Sequence, residues 1–310
     1  MAYGIDIVGP MVIAEGGGGS EKIIDQVEAS SLAMNPSKNI KSSAGDVDPS
    51  FAGYNGFAPS FKATTEMIAQ FLGAVGIGGL VISANPTSLY NRAVDLTTGL
   101  RKGASSHQKF ACNAGIIVPR QLTVGVQSVA KLSFDVIGVN AAGTTNPITK
   151  SESVSLPTMN GVGEQFYFGK AMINGTELEG VQDMTFDFGL EVVVKMGAGA
   201  IYPQVVFIQS RKPKFTFKGN DADSLADLGL TGLAQSSTDS VIYLRKGAAN
   251  GIRVADGTSE HISFTIDDGI ITVPDKGGSH GSENSTSVEI DPIFDGTNAI
   301  VVVSTAAAIV

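Results

Sequence analysis

Apolar and polar residues alternate along most of this chain with a period of two. Leu122, Val124 and Val126 face one way, and after a turn Leu132, Phe134 and Val136 do the same, which predicts a half-buried β-hairpin. From Met184 to Val194 the residues Phe186, Phe188, Leu190 and Val192 fall on one side of a strand. Further strands are predicted at residues 94–100, 109–118, 164–173, 205–208, 215–218, 240–245, 261–266, 269–273, 286–291 and 298–304. Asn174-Gly175 marks a tight hairpin turn. Helical spacing is rare. Residues 63–73 place Met67, Ile68, Phe71 and Leu72 on one face and stop at Gly73, and residues 221–230 predict a shorter helix with Asp221 or Asp223 as its N-cap. Residues 23–27 fit a strand or a turn of helix.

Three short signatures occur twice in the same order. Ser60-Phe61-Lys62 is echoed by Thr216-Phe217-Lys218, and residues 100–104 and 244–248 both read Leu-Arg-Lys-Gly-Ala. Gly115-Ile116-Ile117-Val118-Pro119 is echoed by Gly269-Ile270-Ile271-Thr272-Val273-Pro274. The copies lie 144 to 156 residues apart, about half the chain. That period suits a duplicated domain rather than a solenoid repeat. The expected fold is mainly β, two tandem copies of a β-sandwich or barrel, each with one flanking α-helix. Residues 1–20 are expected to form an N-terminal arm tethered by Gly16 to Gly19, residues 21–150 the first domain and residues 151–310 the second.

Residues 33–60 are rich in Asn, Ser, Gly, Pro and Asp and predict a long loop. Phe51, Tyr54 and Phe57 are aromatic anchors that a disordered linker rarely carries, so this loop is expected to order against a neighbouring subunit. A second Gly-rich loop is expected at residues 195–204. Arg101-Lys102 and Arg245-Lys246 recur with the pentapeptide and suit inter-subunit salt bridges better than catalysis, with phosphate contacts as the alternative.

Composition narrows the function. Only 16% of residues are charged, Gly is abundant at 38 residues, and Trp is absent. A chain that buries surface in an assembly can do without a charged shell. The net charge of −9 is uneven: residues 1–150 hold 11 Lys and Arg against 10 Asp and Glu, and residues 151–310 hold 10 against 20. Such a surface repels a phosphate backbone and argues against tight nucleic-acid binding. The single cysteine, Cys112, excludes an intrachain disulfide and reads as a buried thiol. No signal-type segment or apolar run long enough to span a membrane is evident, so synthesis in a cytoplasm is expected. His107, His261 and His280 have no partners at metal-ligand spacing, and Asp267-Asp268-Gly269 reads as a turn. Asp221-Ala222-Asp223-Ser224 opens like a calcium loop but lacks its later Gly and Glu. Neither a nucleophile elbow nor a Cys–His pair is apparent, so no enzyme, cofactor or metal site is expected.

The helix at 63–73, the alternation from Leu122 to Gly138, and the run Met172-Ile173-Asn174-Gly175-Thr176-Glu177-Leu178-Glu179-Gly180-Val181 resemble the tail tube (major tail) proteins of long-tailed bacteriophages. The resemblance covers roughly residues 20–300 as a pattern of short elements. It implies a small β-sandwich with one helix whose copies close into rings by sheet-to-sheet contact. The rings stack into a hollow tube in the virion through which DNA passes transiently. It also implies other tail proteins as partners, such as a tape measure and a tail terminator, and no membrane. Family members with one domain form hexameric rings, so two fused domains imply a homotrimeric pseudo-hexamer. The alternatives are another virion protein for tail completion or capsid decoration, a β-sandwich hydrolase or lyase, and a carbohydrate-binding module. The last would want Trp and Tyr platforms where this chain has no Trp and six Tyr.

Overall fold

The period-two pattern becomes antiparallel sheet throughout the computed structural model. It describes residues 4–13, 21–44, 47–83, 85–95, 103, 105–159, 163–219, 235–237, 240–248, 251–277 and 285–310. The first half contains β1 (Gly4–Ile13), β2 (Lys22–Ile24), β3 (Val27–Ala33), β4 (Pro36–Lys41), β5 (Phe51–Phe57), β6 (Ser60–Thr65), α1 (Ile68–Val75), β7 (Leu80–Ile82), β8 (Thr87–Asp95), β9 (His107–Cys112), β10 (Gly115–Gly125), β11 (Lys131–Gly138) and β12 (Ile148–Val154). The second contains β13 (Phe166–Ile173), β14 (Thr176–Glu177), β15 (Val181–Asp187), β16 (Leu190–Lys195), β17 (Val205–Arg211), β18 (Lys214–Gly219), β19 (Gln235–Ser237), β20 (Ser240–Lys246), β21 (His261–Ile266), β22 (Gly269–Gly277), β23 (Ser285–Pro292) and β24 (Val302–Ala307).

The two halves have the same strand order. The first has a five-stranded sheet β2-β1-β8-β9-β12, and the second has β14-β13-β20-β21-β24. A ten-stranded sheet runs through both, as β3-β6-β11-β10 followed by β15-β18-β23-β22, with β7 on β10 and β19 on β22. Two separate hairpins, β4-β5 and β16-β17, complete the matching sets. Registers match as well as order. Ile117 pairs with Val136 and Ile271 with Ile290; Pro36 pairs with Phe57 and Leu190 with Arg211. In each comparison the offset is 154 residues, and the irregularities in the ladders fall at the same places.

This offset corrects the sequence alignment. Gly115 and Gly269 are equivalent, as expected, but Phe61 corresponds to Phe215, two residues before the expected Phe217. The second Leu-Arg-Lys-Gly-Ala lies at the end of β20, whose counterpart is β8, so its partner by topology is not the identical pentapeptide.

Other boundaries also shift. The apolar start of the chain is not an arm: β1 lies inside the first sheet, hydrogen-bonded to β2 and β8. The first half extends through β12 to Val154, and β13 begins the second at Phe166. The loop expected at 33–60 is mostly the hairpin β4-β5, because its small and aromatic residues pair across two strands. The predicted strand through Met184 and Val194 breaks at Gly189, whose φ of +59° turns the chain from the ten-stranded sheet into the second hairpin. The helix expected from residue 63 starts at Ile68, since residues 60–65 continue β6. Thr65 accepts from the Met67 N–H and donates to the Gln26 carbonyl, fixing the corner between them. α1 then runs past Gly73 to Gly76, where φ is +67°. The predicted helix at 221–230 lies outside the described residues. Asn174 and Gly175 both take positive φ, +50° and +77°, as their hairpin turn requires.

One continuous apolar cluster fills the space between the sheets of both halves. Phe71 meets Phe134 at a centroid distance of 4.6 Å in the first half. Phe186 stacks on Phe215 at 4.0 Å, and Phe264 meets both edge-on in the second. A fully buried Phe contributes about 1.5–3 kcal/mol. α1 buries Ile68, Phe71, Leu72 and Val75 and lies beside β2 of its own half and β24 of the other.

Candidate assembly surface

The ten-stranded sheet has one face in the core and one in solvent. Along β11, Leu132, Phe134 and Val136 point inward, while Lys131, Ser133 and Asp135 point outward. The outer face continues with Lys62 and Thr64 on β6, Gln121 and Thr123 on β10, Asp183, Thr185 and Asp187 on β15, Lys214, Thr216 and Lys218 on β18, and Ser287 and Glu289 on β23. Its charges are interleaved. Arg120 pairs with Asp135 at 2.8 Å, Lys214 with Glu289 at 2.7 Å, and Lys131 with Glu28 at 2.6 Å. Lys131 holds the Glu28 carboxyl below its usual range, while burial and the neighbouring Glu28 push Glu66 up. Shallow polar concavities lie along this face, one of about 620 Å³ lined by Lys62, Arg120, Ser133 and Asp135.

Both ends of this sheet are open among the described residues. β3 pairs only with β6, and Leu32 near its end is 42% exposed. At the other end β19 covers β22 only at residues 269–271, leaving 275–277 bonded on one side, to β23. Unpaired strand edges are templates for another strand.

The two hairpins carry much of the exposed apolar surface. In β4-β5, Ile40, Phe51 and Tyr54 are exposed, and Val47 at the tip is 98% exposed. In β16-β17, Val194, Val205 and Phe207 are exposed, with Met196 and Ile201 in the loop between the strands. The second hairpin is strapped across the first half. Its tip donates from Ile201 N–H and Tyr202 N–H to the Gly143 carbonyl at 2.8 and 3.0 Å. The Pro203 carbonyl accepts from Asn140 N–H, and the Ile201 carbonyl accepts from Phe57 N–H, both at 2.7 Å. Phe57 stacks on Tyr202 at 5.7 Å. Beside this strap, residues 121–125 of β10 pair with 183–187 of β15, the ladder that joins the halves.

The expected contact residues therefore divide. Phe51 and Tyr54 stand exposed on the first hairpin, whereas Phe57 is half-buried against the second. Arg245 and Lys246 are engaged within the chain, with Asp256 and with Glu260 at 2.7 Å respectively, so both already hold carboxylates of the connection between β20 and β21. Arg101 and Lys102 lie outside the described residues. Sequence patterning alone missed Val47, Tyr202 and the exposed pair Ile293 and Phe294, since single apolar residues in polar loops leave no periodic signal.

Other predicted features fall into the framework. Cys112 is fully buried, and burial pushes its thiol up to about 12. His107 lies in β9 rather than in the expected loop, and His261 opens β21 as expected; both are buried, each accepting a backbone N–H from the neighbouring strand, from Ala93 at 3.0 Å and Lys246 at 3.1 Å, while His280 lies outside the described residues. Asp268 caps the turn between β21 and β22 by accepting from Gly269 N–H. Glu164, between the halves, accepts from the Ala69 and Gln70 N–H groups at the start of α1, and burial raises its carboxyl above the ordinary value. No described helix is long and apolar enough to cross a membrane.

A scan against protein-family models matches no family, and a search of curated proteins finds no relative.

Proposed function

We propose that this chain is a structural subunit that assembles with copies of itself into rings, stacked as a hollow tube of the kind made by the tail tube proteins of long-tailed bacteriophages. The observation that carries this reading is the ten-stranded sheet, which passes from one half into the other and is open at both ends among the described residues. Two topologically matched halves sharing one sheet support a tandem duplication. Three chains then supply the six units of a ring, closed by head-to-tail contacts. The polar face lines the lumen in this reading. Arg120, Lys131 and Lys214 on it are answered by neighbouring carboxylates, which weakens its hold on a polyanion such as DNA. The exposed hairpins reach the adjacent ring or subunit. A tape measure inside the tube and a terminator at its end are the further partners, and the assembled chain resides in the virion.

Negative-stain electron microscopy of the concentrated protein near neutral pH tests this. Hollow tubes, or rings of six lobes with threefold modulation, are expected. Rings with six whole chains would keep the tube and remove the trimer. Particles that never stack would favour a tail-completion or decoration role, and monomers at every concentration would overturn the assembly reading.

A further inference from the structure

The joint between the halves is a template for what the chain's own free ends can bind. It has two parts: the β10–β15 ladder, and the β16-β17 tip seated on residues 140–143 and on Phe57. Each part has a counterpart 154 residues away that no described residue occupies. The counterpart of the 121–125 edge is the segment beginning at Asp275, on the open side of β22. The counterpart of β15 is β3, the open strand at the other end of the sheet. The counterpart of the β16-β17 tip is the β4-β5 tip, where Val47 stands for Ile201 and Pro49 for Pro203. Counting 154 residues on from 140–143 gives 294–297, which follow Ile293 as 140–143 follow Val139, the Ile293 and Val139 N–H groups donating to the matching carbonyls of Asp268 and Ala114; Phe57 corresponds to Arg211.

We propose that a second copy of this chain docks head to tail by repeating the internal joint, β3 of one copy pairing with the free segment of β22 of the next while the β4-β5 tip seats on residues 294–297. The register is specified. Leu122 faces Phe186 inside the chain, so Lys276 faces Leu32 between copies, and Gln121 with Asp187 gives Asp275 with Ala33. At the tip, Ile201 donates to Gly143, so Val47 N–H donates to the Thr297 carbonyl; Asn140 donates to Pro203, so Phe294 N–H donates to the Pro49 carbonyl. The exposed apolar residues cluster where this places them. Val47 is 98% exposed on one copy, and Phe294 and Ile293 are 60% and 46% exposed on the other. An apolar residue with almost no cover within its own chain is what an interface core supplies. The equivalent tip residue Ile201, already seated, is 42% exposed.

This inference rests on the assembly reading and adds its contacts. Two cysteine pairs test it, Leu32→Cys with Lys276→Cys and Val47→Cys with Thr297→Cys, with Cys112 buried and out of reach. Mild oxidation is expected to give intermolecular disulfides with both pairs, in a ladder that ends at three chains. Ser31→Cys with Lys276→Cys, one residue out of register and on the opposite face, is the control and is expected to give at least tenfold less. Val47→Glu, at a site open to solvent, is expected to leave the melting temperature unchanged while abolishing rings and tubes. Rings or tubes that form without either cross-link, or that cross-link best through the control pair, would overturn this interface and keep the proposed function. Assembly by Val47→Glu equal to wild type would also overturn the tip contact. A chain that stays monomeric and uncross-linked at every concentration would overturn both.

Discussion

Gly9 and Gly169 sit at equivalent irregularities, in β1 against β8 and in β13 against β20. A Cβ on Gly9 would lie 2.7 Å from the Tyr90 carbonyl oxygen, and one on Gly169 would lie 2.9 Å from that of Tyr243. Backbone cannot yield as a flexible side chain would, so Gly169→Ala is expected to cost about 1–3 kcal/mol by the scale of overpacked sites, measured by chemical denaturation. The two buried histidines form a second matched pair. His261→Ala leaves the Lys246 N–H without its acceptor, and His107→Ala does the same to Ala93. Each is expected to lose about 1–3 kcal/mol. These pairs also show what could be read from the sequence. His107 and His261, Tyr90 and Tyr243, and Pro49 and Pro203 are each separated by 153 or 154 residues. They are single residues, so no run of identity marks them. The identical pentapeptides are conspicuous and out of register.

At the scale of elements, strands were legible where one face is buried and the other wet. The β10-β11 hairpin and the Asn174-Gly175 turn carry their own signals in alternation and in φ > 0 residues. The β4-β5 hairpin was not legible, because it is exposed along most of both strands and so shows no alternation. α1 was legible by its buried stripe, but its start is set by Thr65 and by Glu164, a residue 95 positions away from the Ala69 N–H it accepts. That cap gives a pH prediction. Burial holds the Glu164 carboxyl above 4.5, outweighing the two N–H groups that pull it down. The folded chain therefore keeps this proton to higher pH than the unfolded chain. Stability from this group is greatest below pH 4.5 and falls as pH rises through the raised value. Glu164→Gln is expected to flatten that slope in melting temperatures between pH 4 and pH 7, scales set by the ordinary carboxylate range. Glu164→Ala, which removes the acceptor, is expected to cost about 0.5–2 kcal/mol at both pH values.

The whole molecule has one core and one shared sheet, so the halves are expected to unfold together. Phe186 is fully buried in the second half, stacked on Phe215. Phe186→Ala is expected to cost about 3–5 kcal/mol and to shift a single transition rather than split it, by circular dichroism together with hydrogen exchange in β10 and β11. Two transitions would mean that the β10–β15 ladder does not couple the halves. The covalent link between the matched halves has a consequence for error. Under the proposed assembly every ring is counted out in pairs of units, so a ring with one unit too many or too few has no way to form. The nearest wrong ring differs by a whole chain and would force every joint to a new angle, including the one fixed inside each folded subunit. Joining the halves thus works as a parity check on ring size. It also frees the two kinds of joint to diverge, since one is met only within a chain and the other only between chains.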